Sequence, residues 1–555
     1  MRNQEIADIF DLLSKLMDIH GENSFKTKTY STAAYRIEKL PAPLESMEPA
    51  AMSAVQGIGD AVGKKIQEIL ATGKLALLET YLDKTPPGVV EMLSIKGIGP
   101  KKIAVLWKEL GAESIGELEY ACNENRLITL KGFGAKTQES ILKSIAFMRN
   151  HMGFYLWAEA EAFALQIRAQ LQQDYPQQRI EFTGEYRRQI PALASVAFVT
   201  DLDETQLRKA FEHDPDTTFE TEGQTLFVSV PNAPALHFYR STAADFYTTL
   251  FTTTAAPAFA EAFSANYIFP AHPENEADIF SYNALQYIEP ALRETAAILE
   301  TAGAHQLPQL IQPGEIKGII HSHSTWSDGV HTLEQMATAA RDKGYEYLVI
   351  SDHSQAAFYA NGLTPERIVL QHAEIDTLNE KLAPFRIFKS IEADILHDGS
   401  LDYTPEVLAS FDLVIASVHS NLKMNEEKAM QRLLAAIANP YTTILGHPTG
   451  RLLLSREGYP VDHQRLIDAC VAHNVVIEIN AHPRRLDLDW SWIPYALEKG
   501  AILSIDPDAH SMEGMDLVKY GVYAAQKGGL TAARNLSSMS QASFEAFLSQ
   551  QKKYA

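Results

Sequence analysis

From residue 315 to the end of this 555-residue chain, seven short apolar runs rich in β-branched residues alternate with amphipathic stretches of helical period. The runs read KGIIHSHS, EYLVISDHS, RIFKSIEAD, LVIASVHS, TTILGHPT, VVIEINAH and AILSIDPDAH. Strand–helix alternation argues for a parallel sheet. Seven such units predict closure into a barrel, whose chemistry belongs at the C-terminal ends of the strands. Polar residues fall at those ends. His321, His323 and Asp328 follow the first run, His353 the second, Glu392 the third, His419 the fourth and His447 the fifth, while Asp508 and His510 close the seventh.

One histidine at a strand end is more often a structural hydrogen-bonder than a ligand. Six histidines and three acids at the same end of successive strands read as a metal-ligand set, because imidazole and carboxylate are natural donors to zinc and manganese. Residues i and i+2 of a strand share a face. His321 and His323 are therefore expected to share one ion, and so are Asp508 and His510.

Length alone implies two to four domains, and 46% apolar residues place the chain among folded globular proteins. Cys122 and Cys470 are the only cysteines. They exclude a disulfide framework or a cysteine-built zinc module and fit a reducing cytosol. The opening MRNQEIADIFDLLSKLMDIH has acids where a signal peptide would be basic and then apolar. No apolar run approaches the ~18 residues of a membrane span. The expected location is cytoplasmic, in association with the nucleoid, and the expected state is a monomer.

Residues 1–150 read as helices joined by glycine turns. VQGIGDAVGKKIQEIL, IKGIGPKKIAVLWKEL and LKGFGAKTQESILKSI repeat one pattern: Gly57 and Gly59, Gly97 and Gly99, Gly132 and Gly134, each pair followed by a lysine-bearing helix. Glycine permits the tight turn, and free N–H groups at the helix start suit an anion. This is similar to the helix-hairpin-helix motif, which holds DNA backbone phosphates without reading sequence. Lys101, Lys102 and Lys136 are the accompanying cations. The net charge of −22 does not oppose this: residues 1–150 hold 19 basic and 19 acidic residues, so the whole deficit lies beyond them.

HSHSTWSDG, SDHS, SVHS, GHPTGRLL, EINA and DPDAH together resemble a PHP (polymerase and histidinol phosphatase) domain, specifically the one at the C-terminus of bacterial family X DNA polymerases. PALRE at Pro290 and LPQLI at Leu307 match that family's linker, so the likeness covers essentially the whole chain. It implies a multidomain fold: an α-helical helix-hairpin-helix region, an α+β nucleotidyltransferase palm and thumb, and an α/β distorted (βα)7 barrel. The implied boundaries are 1–82 (lyase-like), 83–150 (fingers-like), 151–300 (palm and thumb), 301–314 (linker) and 315–555 (PHP). It also implies three divalent ions, manganese or zinc, on all nine residues above, with Glu392 bridging two. Such a cluster neutralises a phosphodiester and activates water near neutral pH. Arg451 and Arg485 are placed either to bind phosphate or to serve in salt bridges. His482 and Arg484 depart from the family's usual asparagine and aromatic residue.

The middle of the chain departs further. Family X palms carry Gly-Ser-x-Arg-Arg and three metal-binding aspartates. Here GEYRRQIPALASVAFVT keeps Gly184, Arg187 and Arg188 but has Glu185 for the serine. The aspartate positions fall on Ser195, Ala197 and, by looser alignment, His237. The nucleotide-holding Thr-Gly-Ser is approximated only by Thr254-Ala255-Ala256. Polymerase activity is therefore expected to be lost. Lys65 occupies the position of the family's lyase nucleophile, with Lys26 retained and Ala61 where a lysine is common. A solvated or phosphate-contacting lysine is the simpler reading, since a nucleophile needs a lowered pKa. The expected function is a DNA-binding, metal-dependent phosphodiesterase that trims 3′ ends or abasic sites in repair. The rivals are a small-molecule phosphatase and a non-catalytic scaffold.

Overall fold

The computed structural model describes residues 1–551 other than 41, 49–50, 53–54, 56, 124–125, 128–129, 131, 152, 213–214 and 232. The chain divides into two compact units, Met1–Met152 and Gly153–Ala555.

The first unit is helical. Its turns repeat closely: Gly57, Gly97 and Gly132 take φ of 93°, 90° and 89°. The residue after each, Ile58, Ile98 or Phe133, is buried and donates its N–H three residues back. The apolar residue anchors the turn, the left-handed glycine makes it, and the second glycine precedes the helices Asp60–Thr72, Pro100–Lys108 and Ala135–His151. One continuous core runs from Ile6 to Ile145. The expected boundary at 82/83 is therefore not a break between separate cores: helix Asn3–His20 packs against Pro100–Lys108 across it.

The second unit holds three sheets, one of them only the two-stranded pair Tyr155–Leu156 and Ala192–Leu193. A mixed five-stranded sheet runs in the order Ile180–Thr183, Ser195–Thr200, Ala235–Arg240, Thr225–Ser229, Thr218–Glu222. The Thr- and Ala-rich stretch Ser241–Ala262 carries two helices, Phe246–Thr254 and Pro257–Asn266. They gather Phe251, Phe259, Phe263 and Phe280 into a core of their own.

The third sheet has seven parallel strands in sequence order: Gly318–Ser322, Tyr347–Ile350, Arg386–Asp394, Leu413–Ser417, Ile444–Leu445, Val476–Asn480 and Leu503–Asp506. Most are buried along their whole length, which is why they read as apolar runs rather than alternating ones. The intervening helices start on cap residues visible in the sequence. Thr332, Thr364, Asn425 and Asp462 each accept a backbone N–H from the first turn. The first and last strands meet through Ser322 and Ala509, so the barrel is nearly closed. The expected linker 301–314 is docked rather than free. Helix Ile298–Gly303 takes up its start, and Ile311 is buried in the barrel core with its N–H on the Leu530 carbonyl (2.9 Å). Among the described residues no helix is long and apolar enough to cross a membrane.

Candidate metal centre

Barrel closure builds the site. His323 donates its backbone N–H to Ala509 (2.8 Å), and Ala509 donates to His321 (3.1 Å). The same residues that seal the barrel thus bring His321 and His323 against Asp508, some 185 positions away. His323 Nε2 lies 3.1 Å from Asp508 Oδ1. Regular strand geometry is not what aims these side chains. His321, His447 and Asp508 have φ of 57°, 24° and 53°, and the first strand changes register between Ile319 and Ser322. Such conformations are uncommon outside glycine and cluster at functional sites. Gly329 is needed for packing, since a Cβ there would stand 2.7 Å from the His323 carbonyl.

Glu392 is the centre. Its Oε1 lies 3.0 Å from His447 Nε2, 3.1 Å from His419 Nε2 and 3.3 Å from His321 Nε2. Its Oε2 lies 3.0 Å from His353 Nδ1 and 3.8 Å from His323 Nε2. Five imidazoles thus surround one buried carboxylate. Among the described residues three groups are compact enough to hold an ion: His323, Asp328, His353 and His510; His321, His323 and Asp508; and His353, Glu392 and His419. All three lie in the barrel. Asp508 and His510 fall in different groups, although His510 Nδ1 lies 3.7 Å from Asp508 Oδ1. The positive φ at Asp508 breaks the strand alternation, and His510 turns Nδ1 toward the Asp508 carbonyl and Nε2 toward Asp328 (3.3 Å).

The donor set fits cations. Buried ring nitrogens of His321, His323, His353, His419 and His447, and Oε2 of Glu392, make no well-aligned hydrogen bond despite close polar neighbours, a costly state unless something else pairs them. Burial alone would lower the pKa of His321, yet Glu478, Asp508 and Glu392 outweigh it and hold the imidazole well above its usual range. Burial would likewise raise Glu392, but His419, His321 and His353 drive it well below. Burial takes His323 down to about 3, so this ring is a neutral donor.

Several residues that the sequence did not single out hold the ligands. Glu478 Oε1 faces His321 Nδ1 at 2.5 Å, and its Oε2 accepts the His447 N–H at 2.5 Å. Asp394 faces His419 Nδ1 at 3.3 Å. Asp352 accepts from the N–H and hydroxyl of Ser324 (both 2.8 Å) and from the Ser327 hydroxyl (2.5 Å), clamping the loop that carries His323 and Asp328. For Asp352 and Asp394 the signal was closeness to a ligand in sequence, as in SDHS and EAD. Carboxylates behind metal-binding histidines fix ring orientation and typically matter ~10–100-fold in affinity or activity. Glu478→Gln is expected to lower metal affinity by about that factor with the fold intact, read by metal titration and circular dichroism.

Of the two roles open to Arg451, its contacts are those of the salt bridge. Its three guanidinium nitrogens are engaged by Asp489 (2.5 Å), the Arg485 carbonyl (2.9 Å) and the Leu486 carbonyl. It positions Arg485, whose Nε lies 3.7 Å from Asp508 and which remains at the cluster. His482 is half-buried in the same loop, and Arg484 pairs with Glu159 (2.9 Å).

The palm positions also converge. Ala197 is paired with His237 across neighbouring strands, and Ser195 Oγ sits 3.3 Å from His237 Nδ1. None of the three is a carboxylate. Arg187 is paired with Glu276 (2.7 Å) and Arg188 with Glu294 (3.0 Å) and the Thr254 carbonyl. In the first unit Lys65 is half-buried on its helix, while Lys26, Lys101 and Lys136 are exposed and Lys102 lies 5.7 Å from the Phe133 ring.

A nearly closed seven-stranded parallel barrel with histidines and carboxylates at its strand ends defines the PHP class. The comparisons with known proteins agree. Residues 1–75 match a helix-hairpin-helix domain and residues 89–146 a SAM-like helix-hairpin-helix tandem. The chain is 34% identical to the DNA polymerase/3′-5′ exonuclease PolX of Bacillus subtilis (strain 168), over 99% of both chains. Its C-terminal region is 28% identical to a probable phosphatase of Caldanaerobacter subterraneus and to the probable phosphatase YcdX of Escherichia coli, over 29% of this chain and 60% and 62% of those proteins. The chain belongs to the PolX family.

Proposed function

We propose that this protein is a metal-dependent phosphodiesterase that processes DNA 3′ ends or abasic sites during repair, and that its polymerase activity is lost. The observation that carries the reading is Glu392 surrounded by five imidazoles. Three divalent ions, manganese or zinc, would be held by His321, His323, Asp328, His353, Glu392, His419, His447, Asp508 and His510. Bound cations supply charge neutralisation of the diester and an activated water. The protein's own role is to keep His323 a neutral donor, to orient His321 through Glu478 and to leave the Asp328–His510 side open, where both side chains are partly exposed. Arg485 faces a phosphate entering there.

The glycine turns grip the DNA backbone. Gly57, Gly59, Gly97, Gly99, Gly132 and Gly134 shape the helix entrances, and Lys101, Lys102 and Lys136 add charge. Asp60 at the start of the first helix weakens that copy as an anion site. Gly97→Ala with Gly132→Ala forces a side chain into left-handed backbone. The double variant is expected to lose about tenfold in DNA affinity by anisotropy, with turnover of p-nitrophenyl phosphate retained. Lys65 contacts phosphate in this reading. The functional divisions follow chain order: a lyase-like segment, a fingers-like segment, a palm and thumb scaffold, a docked connector and the PHP barrel. A cluster complete within one chain supports a monomer, and a DNA substrate places its work at the nucleoid in the cytoplasm.

The deciding assay incubates purified protein and manganese with 3′-labelled primer, gapped and abasic duplexes, beside primer extension with magnesium. Cleavage that disappears in His321→Ala/His323→Ala, without primer extension, is expected. Incorporation would overturn the polymerase reading. Turnover of histidinol phosphate far above that of DNA would favour the small-molecule phosphatase, which the likeness to probable phosphatases supports. Inactivity on all of these would leave a scaffold.

A further inference from the structure

The loop after the second barrel strand begins at a candidate ligand, His353, and doubles back so that Leu363 donates its N–H to the His353 carbonyl (2.9 Å). It is braced from several sides. Gln355 N–H donates to the Tyr403 hydroxyl (3.1 Å) and Ala356 N–H to Asp402 (2.8 Å). Arg367 holds the carbonyls of Asn361 (2.7 Å), Gly362 (3.2 Å) and Trp326. The two arms touch at Gly362, where a Cβ would stand 1.8 Å from the Ser354 carbonyl oxygen. Yet this fixed loop presents two aromatic side chains to solvent, Phe358 at 86% exposure and Tyr359 at 61%. Their order is directional. The Tyr359 ring lies 6.3 Å from the His353 ring, and the Phe358 ring lies 6.2 Å beyond Tyr359.

Single exposed aromatics need no explanation. Two in succession, stepping outward from a metal-ligand histidine on a braced loop, are a prearranged apolar surface beside a phosphate-binding centre. Arg485, beside Asp508 in the same cluster, supplies a cation for the phosphate, while the carboxylates around Tyr359 are Asp394, Glu392 and Asp328. A nucleotide offers both halves of the match, because its phosphate is anionic and every base has a π face that stacks without sequence preference.

We infer that Phe358 and Tyr359 form a stacking shelf for the base of the terminal nucleotide whose phosphodiester sits at the cluster; this rests on the DNA 3′-end reading above. The shelf makes the enzyme prefer ends that carry a base and can splay away from a duplex. A protein partner on the same surface would cover the cluster's approach and would leave no dependence on the terminal base.

The test uses the full-length protein with manganese and two single-stranded oligonucleotides that differ only at the 3′ residue. One ends in 2-aminopurine, the other in a base-free tetrahydrofuran residue. Wild type is expected to show a KM about tenfold lower for the base-bearing end and to quench 2-aminopurine fluorescence on binding. Phe358→Ala/Tyr359→Ala should lose the quenching and treat both ends alike, and Phe358→Trp should keep both properties. Equal wild-type KM values, or quenching that survives the double substitution, overturn the shelf. Should wild type cut neither end, quenching alone decides the shelf and only the diesterase reading falls. Should the double variant fail to fold, Phe358→Leu decides: it keeps bulk without a π face, so undiminished quenching there overturns the proposal.

Discussion

Glu392→Gln is expected to abolish metal-dependent hydrolysis, with a fall of about 10³-fold or more, and to strip the barrel of bound manganese or zinc. The carboxylate is 1% exposed and lies within 3.0 to 3.8 Å of His321, His323, His353, His419 and His447. Glutamine keeps the shape but removes the charge and replaces one acceptor oxygen with an N–H donor, which cannot coordinate a cation. Because cations supply several kcal/mol of charge stabilisation to the reaction, their loss costs on the order of three powers of ten in rate. Elemental analysis and a 3′-end cleavage assay on the same preparation check this together. A variant that retained both its metal and its rate would remove Glu392 from the centre of the site.

The second large effect lies away from the chemistry. Glu276 is buried between two guanidinium groups, Arg187 (2.7 and 2.8 Å) and Arg293 (2.6 and 3.1 Å), and also accepts from the Tyr287 hydroxyl (3.1 Å). Arg293 has no exposed side-chain surface. Glu276→Gln leaves these two cations without their counter-ion and is expected to destabilise the second unit by about 3–5 kcal/mol, read from the urea midpoint. Burial raises the pKa of this carboxyl, but Arg293 and Arg187 outweigh burial and hold it at about 2, against an ordinary value of 4.5. The folded state therefore gains about 3 kcal/mol that is complete above pH 4.5 and is lost as pH falls through 2. The glutamine variant should lose that share of the acid dependence. Arg187 locked in this way serves as structure.

The site was legible where chemistry depends on residue type and local period. The histidines and acids at strand ends and the glycine pairs can be read along the chain, because each is a local pattern. Roles that depend on what a side chain faces were not. Glu478 looked like one more residue of the run VVIEINAH, and Arg451 looked as fit for phosphate as Arg485. Packing separates them: Arg451 is engaged by Asp489 and two carbonyls, while Arg485 reaches the cluster.

The order of residues suffices to specify the parallel barrel, the histidines and acids at its strand ends and the helix-hairpin-helix turns, since buried runs, donor chemistry and left-handed glycines are written residue by residue. Which donors can share an ion is settled only by tertiary packing. The backbone bonds of His321 and His323 to Ala509 close the barrel, and positive φ at His321, His447 and Asp508 turns their side chains off the strand alternation. Ligand spacing is therefore a property of the closed sheet and not of any stretch of chain.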